Sequence, residues 1–454
     1  MNGQLSQVIQ QKIVDMQAAP LPRLTRRDVW LPKVPGKATA VIGMRRAGKT
    51  SLLWQLLSER VAAGMPREGL LYFSFEDERL FGLTVDDLDG LLAAYYRLNP
   101  QWRDERQACL FLDEIQLVPG WERFARRILD SENIELFISG SSAQMLSREV
   151  ATSMRGRAME AIVTPFSFRE ALRHAGHEPT VPAMRLTKSA RSRLERELSN
   201  YLLQGGFPEA QGLDERNRRE LLRGYVDVVL LRDVVERHDI SQPQVLRWMV
   251  QQLLGNAAGT FSINKFHADL KSRGVAVSKD TLHQMLAHLE DAFLLSTVSI
   301  ASDSVRRRQV NPRKVYPVDP ALGLLFERSG KANLGHALET VVLHELRRAG
   351  AEVGYVRTAD DYEVDFHAFM PDGRVLLIQV CAELSTKETL EREVRALHSA
   401  AGTWPSAELV LVALELPPGV ALPEDVTFCS AVDWLLESAL PPPGLPHCVG
   451  EGKS

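Results

Sequence analysis

Between Thr39 and about Thr164, short apolar runs alternate with longer segments of helical periodicity. The runs are TAVIG, LLYFSF, ACLFLDE and IELFISG, and a segment such as TSLLWQLLSERVAAG, ending on Gly64, reads as helix. A run apolar on both faces suits a strand of a parallel sheet covered by helices on both sides, so this stretch predicts an α/β unit. Ahead of it, residues 1–36 read as an amphipathic helix and then a polar approach holding Pro20, Pro22, Pro32 and Pro35. Residues 165–250 read as mostly helical, with a loop in the polar break at His174–Thr187. FSINKFHADLKSRG closes on Gly274, and SKDTLHQMLAHLEDAFLL opens with Ser278 as N-cap and Asp280 and Thr281 in its first turn. The extended run LLSTVSIA follows. Residues 316–436 return to α/β alternation: VGYVRT, EVDFHAF, VLLIQVC and LVLVAL predict strands, and KETLEREVRALHSA predicts a helix. The Pro- and Gly-rich tail predicts disorder, and there are no internal repeats.

Length changes this picture first. The chain has 454 residues, and single cores stop growing near ~250–300, so two or three domains are expected. A net charge of −4 leaves no overall basic surface, so any nucleic-acid face must be local. The four cysteines, Cys109, Cys381, Cys429 and Cys448, form no CxxC pair and no zinc-ligand spacing. Cys109 and Cys381 lie in apolar runs and read as buried thiols. No run of ~18 apolar residues and no signal-peptide pattern is present, which predicts a cytoplasmic protein without a membrane partner.

The chemistry starts at GMRRAGKT, Gly43–Thr50, which matches G-x-x-x-x-G-K-[ST] at every fixed position. Gly43 and Gly48 let the backbone turn so that the amides of this loop, through Met44, Arg45, Arg46 and Ala47, face phosphates. Lys49 brings positive charge to the β- and γ-phosphates, Thr50 offers a hydroxyl to magnesium, and Ser51 follows in a helix whose N-terminus favours anions. CLFLDEIQ supplies the second half. Asp113 emerges from the end of an apolar strand, where it can hold the magnesium shell opposite Thr50, and Glu114 can polarise the attacking water. IELFISGSS ends a further strand. Ser139, Ser141 or Ser142 reads either as a sensor of the γ-phosphate or its water, or as an ordinary Ser/Gly turn. Arg155 and Arg157 read either as phosphate contacts, within the chain or from a neighbouring subunit, or as a solvated basic turn. The expected cofactors are ATP and Mg, with catalytic roles for Lys49, Glu114, Arg155 and Arg157.

GMRRAGKTSLL, YFSFEDERL, LFLDEIQLVPGWERFARRILD, FISGSSAQMLS, MRGRAMEAIVTPFSFREAL and LQGGFPEA occur here in an order that resembles the prokaryotic archaeal-type ATPases. These are AAA-related P-loop ATPases near the signalling (STAND) branch. The resemblance covers nearly the whole chain. It implies an α/β multidomain protein: a P-loop NTPase parallel sheet with a helical lid, a winged helix and a PD-(D/E)xK-like, restriction-endonuclease-like α/β domain. The corresponding boundaries are an N-terminal helix and approach over 1–36, the ATPase core over 37–170, the lid over 171–250, the winged helix over 251–315, the endonuclease-like domain over 316–438 and a disordered tail over 439–454. In the family, the GFP of Gly206–Pro208 belongs to the lid, which gives Pro208 a place near the nucleotide; a plain loop proline is the alternative.

The winged-helix resemblance makes Ser278–Leu295 a recognition helix with Lys279, His283, Gln284 and His288 exposed. The same helix carries Asp280, Glu290 and Asp291, which disfavour phosphate contact. Arg306, Arg307, Arg308, Arg313 and Lys314 lie beyond it and are expected to form a basic wing. DNA binding and plain packing between domains both remain open. In the C-terminal domain the resemblance implies metal-binding carboxylates and a water-positioning lysine. Glu339 and Asp365 match the acidic positions, but the E-x-K of the next strand reads Gln379–Val380–Cys381. Gln379 can ligate a metal without charge, Cys381 cannot replace a lysine, and Lys387 is the nearest downstream candidate. A degenerate nuclease fold is therefore expected.

The leading expectation is an ATP-hydrolysing AAA-like protein whose nucleotide state controls the winged-helix and nuclease-like modules, with double-stranded DNA or proteins as partners and an oligomer as one possible form. The alternatives are a slow nucleotide-controlled switch or scaffold for protein partners, and a metal-dependent DNA nuclease.

Overall fold

The computed structural model describes residues 3–103, 105–140, 154, 156–327, 333–384, 386–416 and 422–437, with residues 309 and 310 described in backbone only. The chain divides into two compact units, Met1–Thr164 and Pro165–Ser454.

In the first unit, β1 (Ala38–Ile42), β2 (Leu70–Ser74), β3 (Ala108–Asp113), β4 (Ile134–Gly140) and β5 (Ala158–Ile162) form an all-parallel sheet in the order β2-β3-β4-β1-β5. Every residue of β1 and β3 is buried, as their unbroken apolar pattern predicts. β5 was not among the predicted runs, because Glu160 interrupts the short apolar pattern of AMEAI, a strand largely half-exposed at the sheet's edge. The helix Lys49–Ala62 packs Leu52, Leu53, Leu56 and Leu57 into a core with Phe111 and Phe137, whose rings stack 5.0 Å apart. Each such leucine contributes ~1.5–3 kcal/mol by leaving water. The N-terminal helix Gly3–Ala18 buries Ile9 and Ile13, and its Lys12 bonds Asp77 at 2.6 Å.

The second unit holds two sheets. β6 (Thr260–Phe261), β7 (Leu295–Val298) and β8 (Arg313–Pro317) form a small antiparallel sheet with β8 in the middle. The helices Pro243–Leu254, Ile263–Ser272 and Lys279–Asp291 accompany it. Ser278 caps the last of these through Thr281 N–H, as its position predicts. That helix stops at Asp291, short of the predicted Leu295, because Phe293 takes a left-handed φ of 56°.

β9 (Glu352–Arg357), β10 (Glu363–Phe369), β11 (Val375–Cys381), β12 (Glu408–Ala413) and β13 (Val426–Ser430) form a mixed sheet ordered β13-β12-β11-β10-β9. Its β9–β10–β11 portion is antiparallel and its β11–β12–β13 portion parallel. The helix Leu334–Arg348 covers one face of this sheet and the helix Lys387–Ala401 the other. Val364 and Phe366, two residues apart, join different cores because the β9–β10 register shifts between Val364 and His367. Such a bulge re-aims the side chain at its centre, here Asp365.

The helices predicted as a lid share their core with this sheet. Phe168, Leu172, Leu198 and Leu202 lie in one cluster with Val341, Phe366 and Ile378. No helix among the described residues is long and apolar enough to cross a membrane.

Candidate functional site

The chain leaves β1 at Gly43 with a φ of 149°, and a Cβ there would lie 2.1 Å from the Val163 carbonyl oxygen. Val163 N–H donates to Ile42 O at 2.7 Å, so the strand pair β1–β5 fixes where the loop begins. Gly48 takes a φ of 104° and caps the helix without any side-chain bond. The N-terminus of Lys49–Ala62 thus carries no side-chain cap, and a helix N-terminus of this kind favours an anion. Lys49 is buried and its Nζ donates to the carbonyls of Gly43 and Met44, at 3.1 Å each.

Arg27 holds this loop from behind. Its buried guanidinium donates to Ala47 O at 2.8 Å and to Thr164 O at 2.5 Å. Its own backbone N–H and C=O pair with the Gln55 side chain on the P-loop helix. The sequence places Arg27 only in a polar approach. Its pairing partners lie far along the chain, so no local pattern marks it.

Asp113 is the hub of the site. Its Oδ2 accepts from Thr50 Oγ1 at 2.9 Å and from the Tyr72 hydroxyl at 2.8 Å. Its Oδ1 accepts from Ser139 Oγ. Burial, and then the neighbouring Asp113 carboxylate, push the Tyr72 hydroxyl well above its ordinary range, so it remains a donor. Glu114 takes a left-handed φ of 56°, its N–H donates to Ser139 Oγ at 3.1 Å, and its carboxylate accepts from Gln116. Ser139 is fully buried on β4, the strand between β1 and β3. Its hydroxyl is engaged by Asp113 and the Glu114 backbone, where the sequence allowed a phosphate contact or a plain turn.

The remaining predicted residues of this site are placed as follows. Arg157 pairs with Asp130, and its carbonyl accepts from Ala38 N–H at 2.8 Å. It therefore precedes β5 and sits at the opposite end of the strands from the P-loop, which corrects the expectation of a phosphate contact within the chain. Arg155, Ser141 and Ser142 lie outside the described residues. Pro208 opens a short turn, Pro208–Ala210, in the second unit, after the buried Phe207, which packs on Tyr225 at 5.4 Å. Gly206 before it is demanded by close backbone approach: a Cβ there would lie 2.1 Å from Phe166 O. Gly206 N–H donates to Asp319 Oδ2 at 2.7 Å, and Phe166 N–H donates to Gly206 O at 2.7 Å.

The helix Lys279–Asp291 exposes Lys279, His283 and Gln284, while His288 departs from expectation by stacking on His238 with ring centres 3.6 Å apart. Arg306, Arg307 and Arg308 are exposed on the helix Val305–Val310, and Arg313 lies near Glu290. Lys314 is not part of that basic face. It is buried in β8, with Nζ 2.9 Å from Glu339 Oε1, 2.9 Å from Asp365 Oδ1 and 2.8 Å from Glu363 Oε1. Alternation along β8 decides this: Arg313 points out and Lys314 in. Tyr316 donates to Glu339 Oε1 at 2.6 Å. Burial and the Asp365 carboxylate push the Glu339 carboxyl up, while Lys314 and Tyr316 pull it down. Gln379 receives Asp365 N–H at 3.3 Å and donates to Glu393 at 2.7 Å. Lys387 is exposed at a helix start beside Glu391, and Cys381 is half-exposed rather than buried, directed at Glu383 O.

Residues 35–172 match the AAA domain family and residues 195–330 match a domain of unknown function (DUF8612). The chain is 32% identical to an uncharacterized protein of Methanocaldococcus jannaschii over 391 residues, 85% of this chain and 83% of that protein. It is 31% identical to an uncharacterized protein of Haemophilus influenzae, over 77% of this chain and 84% of the other. Among solved structures it resembles the Walker-type ATPase of Pyrococcus abyssi, with 15% identity, 64% of this chain and 90% of that one covered, and a TM-score of 0.42. The chain belongs to one family with these Methanocaldococcus and Haemophilus proteins, and its parallel sheet and Gly43–Thr50 loop lie in the stretch that matches the AAA domain.

Proposed function

We propose that the first unit binds ATP with magnesium and hydrolyses it, and that the nucleotide state governs what the second unit does to a DNA or protein partner. The observation that carries this reading is the hydrogen-bonded chain from Thr50 through Asp113 and Ser139 to Glu114. It brings a hydroxyl and a carboxylate together beside the uncapped start of the Lys49–Ala62 helix, a donor set that fits a magnesium-bound triphosphate. The amides of 43–50 and Lys49 would bind the phosphates, Thr50 and Asp113 would hold the metal, and Glu114 would orient and deprotonate the water. Bound magnesium supplies charge neutralisation of the phosphates. Ser139 keeps the Glu114 backbone fixed relative to Asp113.

The second unit's helix–strand–helix–helix–strand–helix–strand order around β6-β8-β7, with the short helix Val305–Val310 between β7 and β8, supports a winged-helix reading. The helix Leu334–Arg348 followed by β9, β10, β11, the helix Lys387–Ala401 and β12 supports an endonuclease-like reading. The exposed Arg306–Arg307–Arg308 run is the local basic feature that favours DNA as a partner.

The test is turnover by the full chain with and without duplex DNA. Lys49→Ala should abolish nucleotide binding, and Glu114→Gln should keep binding but lose turnover. Turnover that survives Lys49→Ala overturns the site assignment. Turnover unchanged by DNA favours the nucleotide-controlled switch acting on protein partners.

A further inference from the structure

The endonuclease-like fold brings with it the expectation of a divalent metal held by Glu339, Asp365 and the residue at 379. The side chains present do not fit one. The position at 379 is an amide, and its two ends are engaged by Asp365 N–H and the Glu393 carboxylate. Because a carboxylate only accepts, the Glu393 bond turns the amide nitrogen toward Glu393. Asp365 has both oxygens committed, Oδ1 to Lys314 and Oδ2 to Val380 N–H at 3.0 Å. Between Glu339 and Asp365, where a cation belongs, lies the ammonium of Lys314. It has three N–H donors and three carboxylate acceptors, on Glu339, Glu363 and Asp365, all within 2.9 Å. Its side chain is 3% exposed, so an uncompensated charge there would be costly, and the carboxylates compensate it.

We propose that Lys314 is a built-in cation that takes the place of the divalent metal between Glu339 and Asp365, and that this cluster ties the three-stranded sheet to the C-terminal sheet instead of cleaving phosphodiesters. The residues come from three elements: Lys314 from β8, Glu339 from the helix Leu334–Arg348, and Glu363 and Asp365 from β10. Removing the lysine leaves buried carboxylates facing each other, which is the composition of a metal site. The metal-free wild type and a metal-binding Lys314→Ala chain are the two faces of the same geometry.

The experiment uses the full chain, stripped with chelator, free of nucleotide and titrated with Mn2+ alone, with bound Mn2+ read by electron paramagnetic resonance. Wild type is expected to show no bound Mn2+ that Asp365→Asn removes. Lys314→Ala is expected to gain a site, and Lys314→Ala/Asp365→Asn to lose it again. Wild-type Mn2+ binding that disappears in Asp365→Asn overturns the proposal and restores an active metal centre. A folded Lys314→Ala chain that gains no site overturns it equally. Should Lys314→Ala not fold unaided, refolding in Mn2+ decides: recovery supports the proposal and failure to recover ends it.

Discussion

Thr50 Oγ1 donates to Asp113 Oδ2 at 2.9 Å, joining the first turn of the P-loop helix to the end of β3. Those strands are not neighbours: β4 runs between β1 and β3. Ser139, on β4, ties that intervening strand to the end of β3 by donating to Asp113 while accepting from Glu114 N–H.

Ser139→Ala should therefore impair catalysis without touching a phosphate. It leaves the buried Asp113 Oδ1 and the Glu114 N–H without this partner, a cost of ~1–3 kcal/mol in stability. The expected kinetic result is a lower kcat with KM for ATP little changed. Steady-state kinetics check it, and a raised KM at constant kcat would instead place Ser139 in ground-state nucleotide contact.

Arg27→Ala should loosen the P-loop, because both Ala47 O and Thr164 O lose a buried donor. Nucleotide affinity is expected to fall by roughly tenfold, equivalent to ~1.4 kcal/mol. Arg27→Lys should rescue little of it, since two separate guanidinium nitrogens serve the two carbonyls and a single Nζ on a shorter side chain replaces both. Fluorescent-nucleotide titration distinguishes the variants.

Gly206→Ala puts a methyl 2.1 Å from Phe166 O, a backbone atom that cannot swing away. The second unit should lose on the order of 1–3 kcal/mol or more. Gly224, on the helix Glu215–Val228, has open space around it, so Gly224→Ala should stabilise by ~0.5–1 kcal/mol. Denaturant melts of the two variants should move in opposite directions.

The Asp319 carboxyl is buried and raised from 3.8 to about 6, chiefly by burial, although the amides of Gly206 and Ala321 and the Arg348 charge pull it down. The folded chain thus holds this proton more tightly than the unfolded one. The stabilisation is complete below the unfolded value of 3.8 and is lost as pH rises through about 6. Between those values Asp319→Asn should remove a decline of at most ~1.4 kcal/mol per pH unit. Melts of both chains across this window check the difference in slope.

The P-loop helix and strands β1–β4 and β9–β12 were legible in the sequence because their signals are local: apolar runs, cap residues and fixed glycine spacings. Gly43, Lys49, Thr50 and Asp113 were legible for the same reason, since each sits where a strand ends or a helix begins. Tertiary structure alone decided the rest. It assigned the Ser139 hydroxyl to Asp113, set Arg27 under the P-loop, separated Arg157 from it by the length of a strand, and merged the helices around Phe168 and Leu198 into the C-terminal core. It also delivered Lys314 to Asp365, 51 residues away, from a strand whose sequence reads as a basic wing. Periodicity says which face of an element is buried, but not which distant charges the packing of two sheets will set within 3 Å of each other.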